Sequence, residues 1–135
     1  MIVDDELVVG DFFCQLAKIR GYTDIETVGS GQEAISRVMN NRYDLITLDI
    51  RMPGLSGLEI IAMLRNMSPH AIIAIISGFI PDRISSEVAE CADIMLPKPV
   101  DIDTFNTLLD CAQQICDAIS SLRGVGIDPS ARMSG

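Results

Sequence analysis

The chain has 135 residues, 48% of them apolar, with a mean hydropathy of +0.32, no Trp and a net charge of −9 at an isoelectric point of about 4.3. That length and composition fit one folded domain with an aliphatic core and exclude a disordered chain. The acidic balance argues against a chain that grips nucleic acid or an anionic membrane by itself, and the longest uncharged apolar stretch, residues 71–81, falls short of the roughly 20 residues that span a bilayer.

Met1–Val3 is a short apolar run closed by Asp4-Asp5. Central strands usually run about 5–6 residues, so this one fits a numbering that begins inside a longer chain. Leu7 to Arg20 places Val8, Val9, Phe12, Phe13, Leu16 and Ile19 at helical spacing, and Gly21 stops the helix. Ile25–Val28 is a weak strand. Ser30-Gly31-Gln32-Glu33 is a capping box that opens a helix with Ala34, Ile35 and Val38 facing inward. Tyr43–Leu48 is a strand ending at Asp49, and Ser56-Gly57-Leu58-Glu59 is a second capping box opening a helix to Met67. Ala71–Ile76 is almost wholly aliphatic, as a parallel strand buried on both faces must be, and Ser77-Gly78 follows it. Pro81 is expected to start a helix ending near Cys91. Asp93–Leu96 is the last strand, with Pro97-Lys98-Pro99 after it, and Asp101–Leu122 is one long amphipathic helix.

The order is strand then helix, five times over. Short connections of this kind imply right-handed crossovers and a doubly wound, flavodoxin-like α/β fold with a five-stranded parallel sheet. Asp4-Asp5, Asp49, Ser77 and Lys98 then all stand at strand carboxyl ends, where open α/β sheets bind ligands. Three carboxylates suit magnesium, a hard cation that takes oxygen ligands. Asp5 and Asp49 would bind it directly and Asp4 through water. A carboxylate can itself accept a phosphoryl group; Lys98 would offset charge on that group, and Ser77 would donate a hydrogen bond to it. Singly, each residue has a plainer explanation: a helix-dipole carboxylate, a turn residue, a solvated lysine. Their joint placement favours the chemical one. The four cysteines, Cys14, Cys91, Cys111 and Cys116, form no Cys-x-x-Cys pair and lie away from His70. They read as small, buried or half-buried residues of a reducing compartment, not as a zinc site.

The segments Ile2-Val3-Asp4-Asp5-Glu6, Leu48-Asp49-Ile50-Arg51-Met52-Pro53-Gly54-Leu55-Ser56-Gly57-Leu58-Glu59, Ser77-Gly78 and Leu96-Pro97-Lys98-Pro99 resemble the response-regulator receiver domains of bacterial two-component signalling. The likeness covers about residues 1 to 120. It implies a sheet order of 2-1-3-4-5 with five helices, and Asp49 as phosphoacceptor. It implies Asp4 and Asp5 as an acidic pocket, the backbone carbonyl of Arg51 as a further magnesium ligand, Ser77 as switch hydroxyl and Lys98 as the site lysine. The Lys98-Pro99 bond is expected to be cis. Three features depart from the family pattern: Met95 where an aromatic usually stands, Cys91-Ala92 before the last strand, and a last helix about two turns longer. Its Ile102, Phe105, Leu109, Ala112, Cys116 and Ile119 form a heptad-like seam.

The resemblance implies a cytoplasmic switch, not a turnover enzyme, that takes a phosphoryl group from a sensor histidine kinase or histidine phosphotransfer protein. Residues 1–122 would be the receiver domain and 123–135 a tail or linker stub, with an output domain possible beyond Gly135. A weak homodimer through the last helix is a further expectation. A haloacid-dehalogenase-type phosphatase is disfavoured because Arg51 stands where a second Asp would act. A receiver-like module that works without phosphate is disfavoured by the intact acidic set, with Met95 as the feature in its favour.

Overall fold

The computed structural model describes residues 1–132. Five strands, β1 (Ile2–Val3), β2 (Thr27–Val28), β3 (Leu45–Leu48), β4 (Ile72–Ser77) and β5 (Ile94–Pro97), form one parallel sheet in the order β2-β1-β3-β4-β5. Between and after them lie α1 (Leu7–Ile19), α2 (Gly31–Val38), α3 (Gly57–Met67), α4 (Ser86–Cys91) and α5 (Ile102–Gly124). The strand order and the five helices are those the sequence implied.

Side chains alternate across the sheet and feed two cores. On one face Val3, Leu48, Ile73 and Ile75 pack against Ala34 and Val38 of α2 and Ile60, Ile61 and Leu64 of α3. On the other face Ile2, Ala74 and Ile76 pack against Phe13, Leu16 and Ala17 of α1 and Phe105, Leu108 and Leu109 of α5. Phe13 and Phe105 stack there with ring centroids 4.5 Å apart. All six residues of β4 are buried, which is why that stretch reads as aliphatic without alternation. The helix starts follow their caps: the hydroxyls of Ser30 and Ser56 accept the amides of Glu33 and Glu59, and the Asp101 carboxylate accepts that of Thr104 at 2.7 Å.

Four expectations change. The fourth helix does not start at Pro81. Ser85 caps it by accepting the Val88 amide at 3.2 Å, and the helix has only six residues. No apolar residue in 81–85 reaches the core to hold an earlier turn; Ile84 is only half-buried. On α1, Val8 and Ile19 keep 82% and 79% of their exposure and Phe12 43%. The buried stripe is Gly10, Phe13, Leu16 and Ala17, so helical spacing found the helix but overstated the width of its inner face. On α5, Ile102 is half-exposed and no described residue past Ala112 is buried. Within the expected tail, Pro129–Arg132 forms a short 3-10 turn and Arg123 pairs with Asp128 at 3.2 Å; residues 133–135 lie outside the described part. The cysteines are free, and Cys111 is exposed instead of half-buried.

Candidate functional site

The parallel sheet brings the carboxyl ends of β1, β3, β4 and β5 to one edge, and the residues just past those ends form the site. Asp4 and Asp5 follow β1, Asp49 follows β3, Ser77 ends β4 and Lys98 follows β5. All of them converge, as their positions along the sequence required. Ligand oxygens of Asp4, Asp5 and Asp49 lie within 4.8 Å of one another. Asp4 and Asp49 are buried, at 6% and 4% exposure, while Asp5 faces solvent.

Lys98 lies among these carboxylates. Its Nζ is 2.8 Å from Asp4 Oδ2, 3.1 Å from Asp49 Oδ2 and 3.5 Å from Glu6 Oε1. The Lys98-Pro99 peptide is cis, as expected, and the Lys98 amide donates to the Ser77 carbonyl at 2.9 Å. Burial alone would lower the lysine; the carboxylates of Asp4 and Asp49 outweigh it and hold the ammonium above its ordinary range. Asp4 moves in the costly direction. Its burial raises its pKa more than the hydrogen bonds from Lys98 and the Glu6 amide lower it. The site is therefore strained toward protonation at Asp4, and a further cation would relieve it. Three hard oxygen donors at this spacing, one of them open to solvent, fit magnesium.

Asp49 is positioned from behind. A Cβ on Gly57 would lie 2.1 Å from the Asp49 carbonyl oxygen, so only glycine lets the start of α3 approach this close. The Gly57 amide also donates to the Ile50 carbonyl at 2.9 Å. Ser77 is 1% exposed, and its hydroxyl accepts the Phe79 amide at 3.2 Å. The Phe79 ring carries the Arg51 guanidinium over its face, 3.8 Å from the centroid. That stack links the loops after β3 and β4. Arg51 and Phe79 were legible as residues near the acceptor and the hydroxyl. Their contact was not, because it spans two loops whose separation only the fold sets. Glu6 was also missed as a Lys98 partner; its helix-start position suggested a role for its charge only at the dipole.

Residues 1–110 match the profile of the response regulator receiver domain. The chain is 34% identical over 102 residues to response regulator MprA of Mycobacterium sp. (strain KMS), an alignment that covers 73% of this chain and 43% of the relative. It is equally 34% identical over 99 residues to the transcriptional regulatory protein YvrH of Bacillus subtilis, covering 73% and 42%. The chain thus spans less than half the length of these curated relatives. Among solved structures it resembles response regulator TrrA of Thermotoga maritima in complex with Mg2+-BeF, with a TM-score of 0.72 and 30% identity over 82% of this chain and 95% of that one. A CheY-like receiver domain protein from Methanospirillum hungatei JF-1 shares the fold at a TM-score of 0.73 and 22% identity, over 87% and 94%.

Together with the fold and the site, these matches show that the chain belongs to the response regulator receiver domain family. More particularly, it is a receiver domain of a response regulator in two-component signalling.

Proposed function

We propose that Asp49 is the phosphoacceptor of this receiver and takes a phosphoryl group from the phosphohistidine of a sensor kinase or phosphotransfer protein in the cytoplasm. The observation that carries the reading is the buried Asp49 carboxylate, bonded to Lys98 at 3.1 Å and facing Asp4 and Asp5. A carboxylate oxygen of Asp49 attacks phosphorus as the phosphorus–nitrogen bond to histidine breaks; the imidazole leaves with the electron pair and takes up a proton. Asp4, Asp5, Asp49 and the Arg51 carbonyl would hold a magnesium ion, which when bound supplies positive charge against the transferring oxygens. Lys98 contributes a second positive charge beside Asp49.

Ser77 then exchanges partners. Its hydroxyl turns to donate to a phosphoryl oxygen and gives up the Phe79 amide, which frees the loop leading to α4. The face made by α4, β5 and α5 changes its population accordingly. Met95, half-buried in β5, has no ring to flip, so the loop movement carries the signal. The exposed Leu7, Val8 and Phe12 of α1 favour docking of the donor there. Val8, Val9 and Phe12 line one apolar groove with Lys98, Pro99 and Val100, which leads from the helix to the site. The receiver unit spans residues 1–122, and 123–135 is a tail or linker stub. The protein acts as an acceptor and switch, not as a turnover enzyme. A second reading, an interaction module independent of phosphate, draws on Met95 alone.

Asp5 offers the test, because it is exposed and no hydrogen bond among the described residues depends on its side chain. Asp5→Asn is expected to abolish magnesium-dependent labelling by acetyl phosphate while the circular dichroism and melting of the fold survive. A folded Asp5→Asn protein that labels normally would contradict the assignment.

A further inference from the structure

Of the five α-helices, α4 is the one that buries none of its residues, and it has only six. Its two ends are held very differently. At the start, the Ser85 hydroxyl accepts the Val88 amide at 3.2 Å and the Ser85 carbonyl accepts the Ala89 amide at 3.0 Å, both within the helix's own first turn. Among the described residues, no hydrogen bond or ion pair joins residues 80–90 to another element. Only the half-buried Ile80 and Val88 rest against the core that α2 and α3 share.

The other end is pinned by one side chain. Ala92 turns to extended backbone (φ −93°, ψ 138°) and ends the helix, which leaves the Cys91 carbonyl without an intrahelical partner. Arg65, in the last turn of α3, supplies one: its Nε donates to that carbonyl at 3.0 Å. The same guanidinium donates through Nη1 to the Ala71 carbonyl at 2.6 Å and pairs through Nη2 with Asp93 Oδ2 at 2.7 Å. Asp93 Oδ2 also accepts the Ile73 amide at 2.8 Å, and the Asp93 amide donates to the Ile73 carbonyl at 2.9 Å. The end of α3, the entry to β4, the end of α4 and the entry to β5 therefore meet on one planar fork. A rigid five-donor guanidinium holds such a convergence; a single ammonium does not.

We propose that Arg65 is the pivot on which α4 turns: the end at Cys91 stays fixed, and the free arm, residues 79–89, is the part that moves when the Ser77 loop is released. A six-residue helix is a rod of about 9 Å, so it tilts as one body about its pinned end. The changed surface then lies on the Phe79 side of α4, and the start of β5 keeps its register against β4. Arg65 is thus a positioning residue that acts through Cys91 and Asp93 without touching the acceptor. The inference rests on the phosphoacceptor reading only for what releases the loop; the pin itself belongs to the metal-free fold.

Hydrogen exchange of the 135-residue chain, resolved by amide, tests both halves. With magnesium and beryllofluoride, the parent is expected to change its exchange at residues 79–89 and to keep it at Ala92, Asp93 and Ile73. Arg65→Met keeps most of the side chain's length and removes the fork. Without metal it is expected to speed exchange at the Ala92 and Ile73 amides severalfold, and with beryllofluoride its changed region is expected to spread past Cys91 into β5. Asp93→Asn, which keeps an acceptor for the Ile73 amide and loses the ion pair, is expected to do the same to a smaller extent and serves as the second variant should Arg65→Met not fold. Variants that exchange like the parent at Ala92 and Ile73 without metal, or a parent whose beryllofluoride response runs through Ala92 and Asp93, would overturn the pivot. Failure of beryllofluoride to bind the parent, read by its fluorine resonance, would count against the phosphoacceptor reading, while the metal-free comparison decides the pin by itself.

Discussion

Asp4 stands in a costly environment. It is nearly as buried as Asp49, and its burial outweighs the lysine and the amide that favour its charge. A carboxyl whose folded pKa lies above its unfolded value binds more protons in the native state across the interval between the two. Stability therefore falls as pH rises through that interval, from about 4 upward. Asp4→Asn removes this penalty and leaves Lys98 paired with Asp49. The metal-free variant is expected to melt a few degrees higher than the parent at pH 7 and to show no difference below pH 4. Denaturant melts across that range check both the gain and its sign. A variant that is less stable at pH 7 would mean that the Asp4–Lys98 bond of 2.8 Å outweighs burial.

Arg51 and Phe79 belong to the same scale. Their stack at 3.8 Å lies between residues two places beyond Asp49 and Ser77. A guanidinium and a ring there obstruct the line along which water would approach an acyl phosphate on Asp49. Phe79→Ala is expected to shorten the aspartyl-phosphate lifetime severalfold, read by loss of label after the phosphodonor is removed. An equal or longer lifetime would show that the stack does not shield the group.

At the scale of elements, the sequence was read best where one physical rule dominated. β4 declared itself because a strand buried on both faces is built almost wholly of aliphatic side chains. The starts of α2 and α3 were visible because Ser30 and Ser56 are chemically committed caps. The start of α4 was not, because Pro81 and Ser85 are both acceptable openings and only the missing core contacts of residues 81–85 decide between them. The candidate residues Asp4, Asp5, Asp49, Ser77 and Lys98 were legible because a parallel sheet aligns every strand end on one edge. Glycine roles were less so. Nothing local in Ser56-Gly57-Leu58 reveals that the Gly57 hydrogen atoms face the Asp49 carbonyl; that close approach exists only once α3 packs across β3.

For the whole molecule, the open question is what α5 does past Ala112. Its second half carries Ile115, Cys116, Ile119 and Leu122; Leu122 is 71% exposed, and Cys116 and Ile119 are half-covered. No helix among the described residues is long and apolar enough to cross a membrane. The proposed partner for the stripe is a second copy of the chain, since a heptad-like seam pairs with another of its kind. Sedimentation at high concentration is expected to show a weak dimer that strengthens with beryllofluoride and is lost in Ile119→Asp. A monomer in both states, unchanged by the substitution, would reject the pairing.

The central claim is that Asp49 alone receives the phosphoryl group. The measurement that meets it directly is intact-mass analysis of the wild-type chain and Asp49→Ala after incubation with magnesium and acetyl phosphate, with the adduct located by peptide mapping. One added phosphoryl group is expected on the wild type, mapped to the peptide that contains Asp49, and none on the variant. Equal labelling of Asp49→Ala, or an adduct mapped to any other residue, would contradict it.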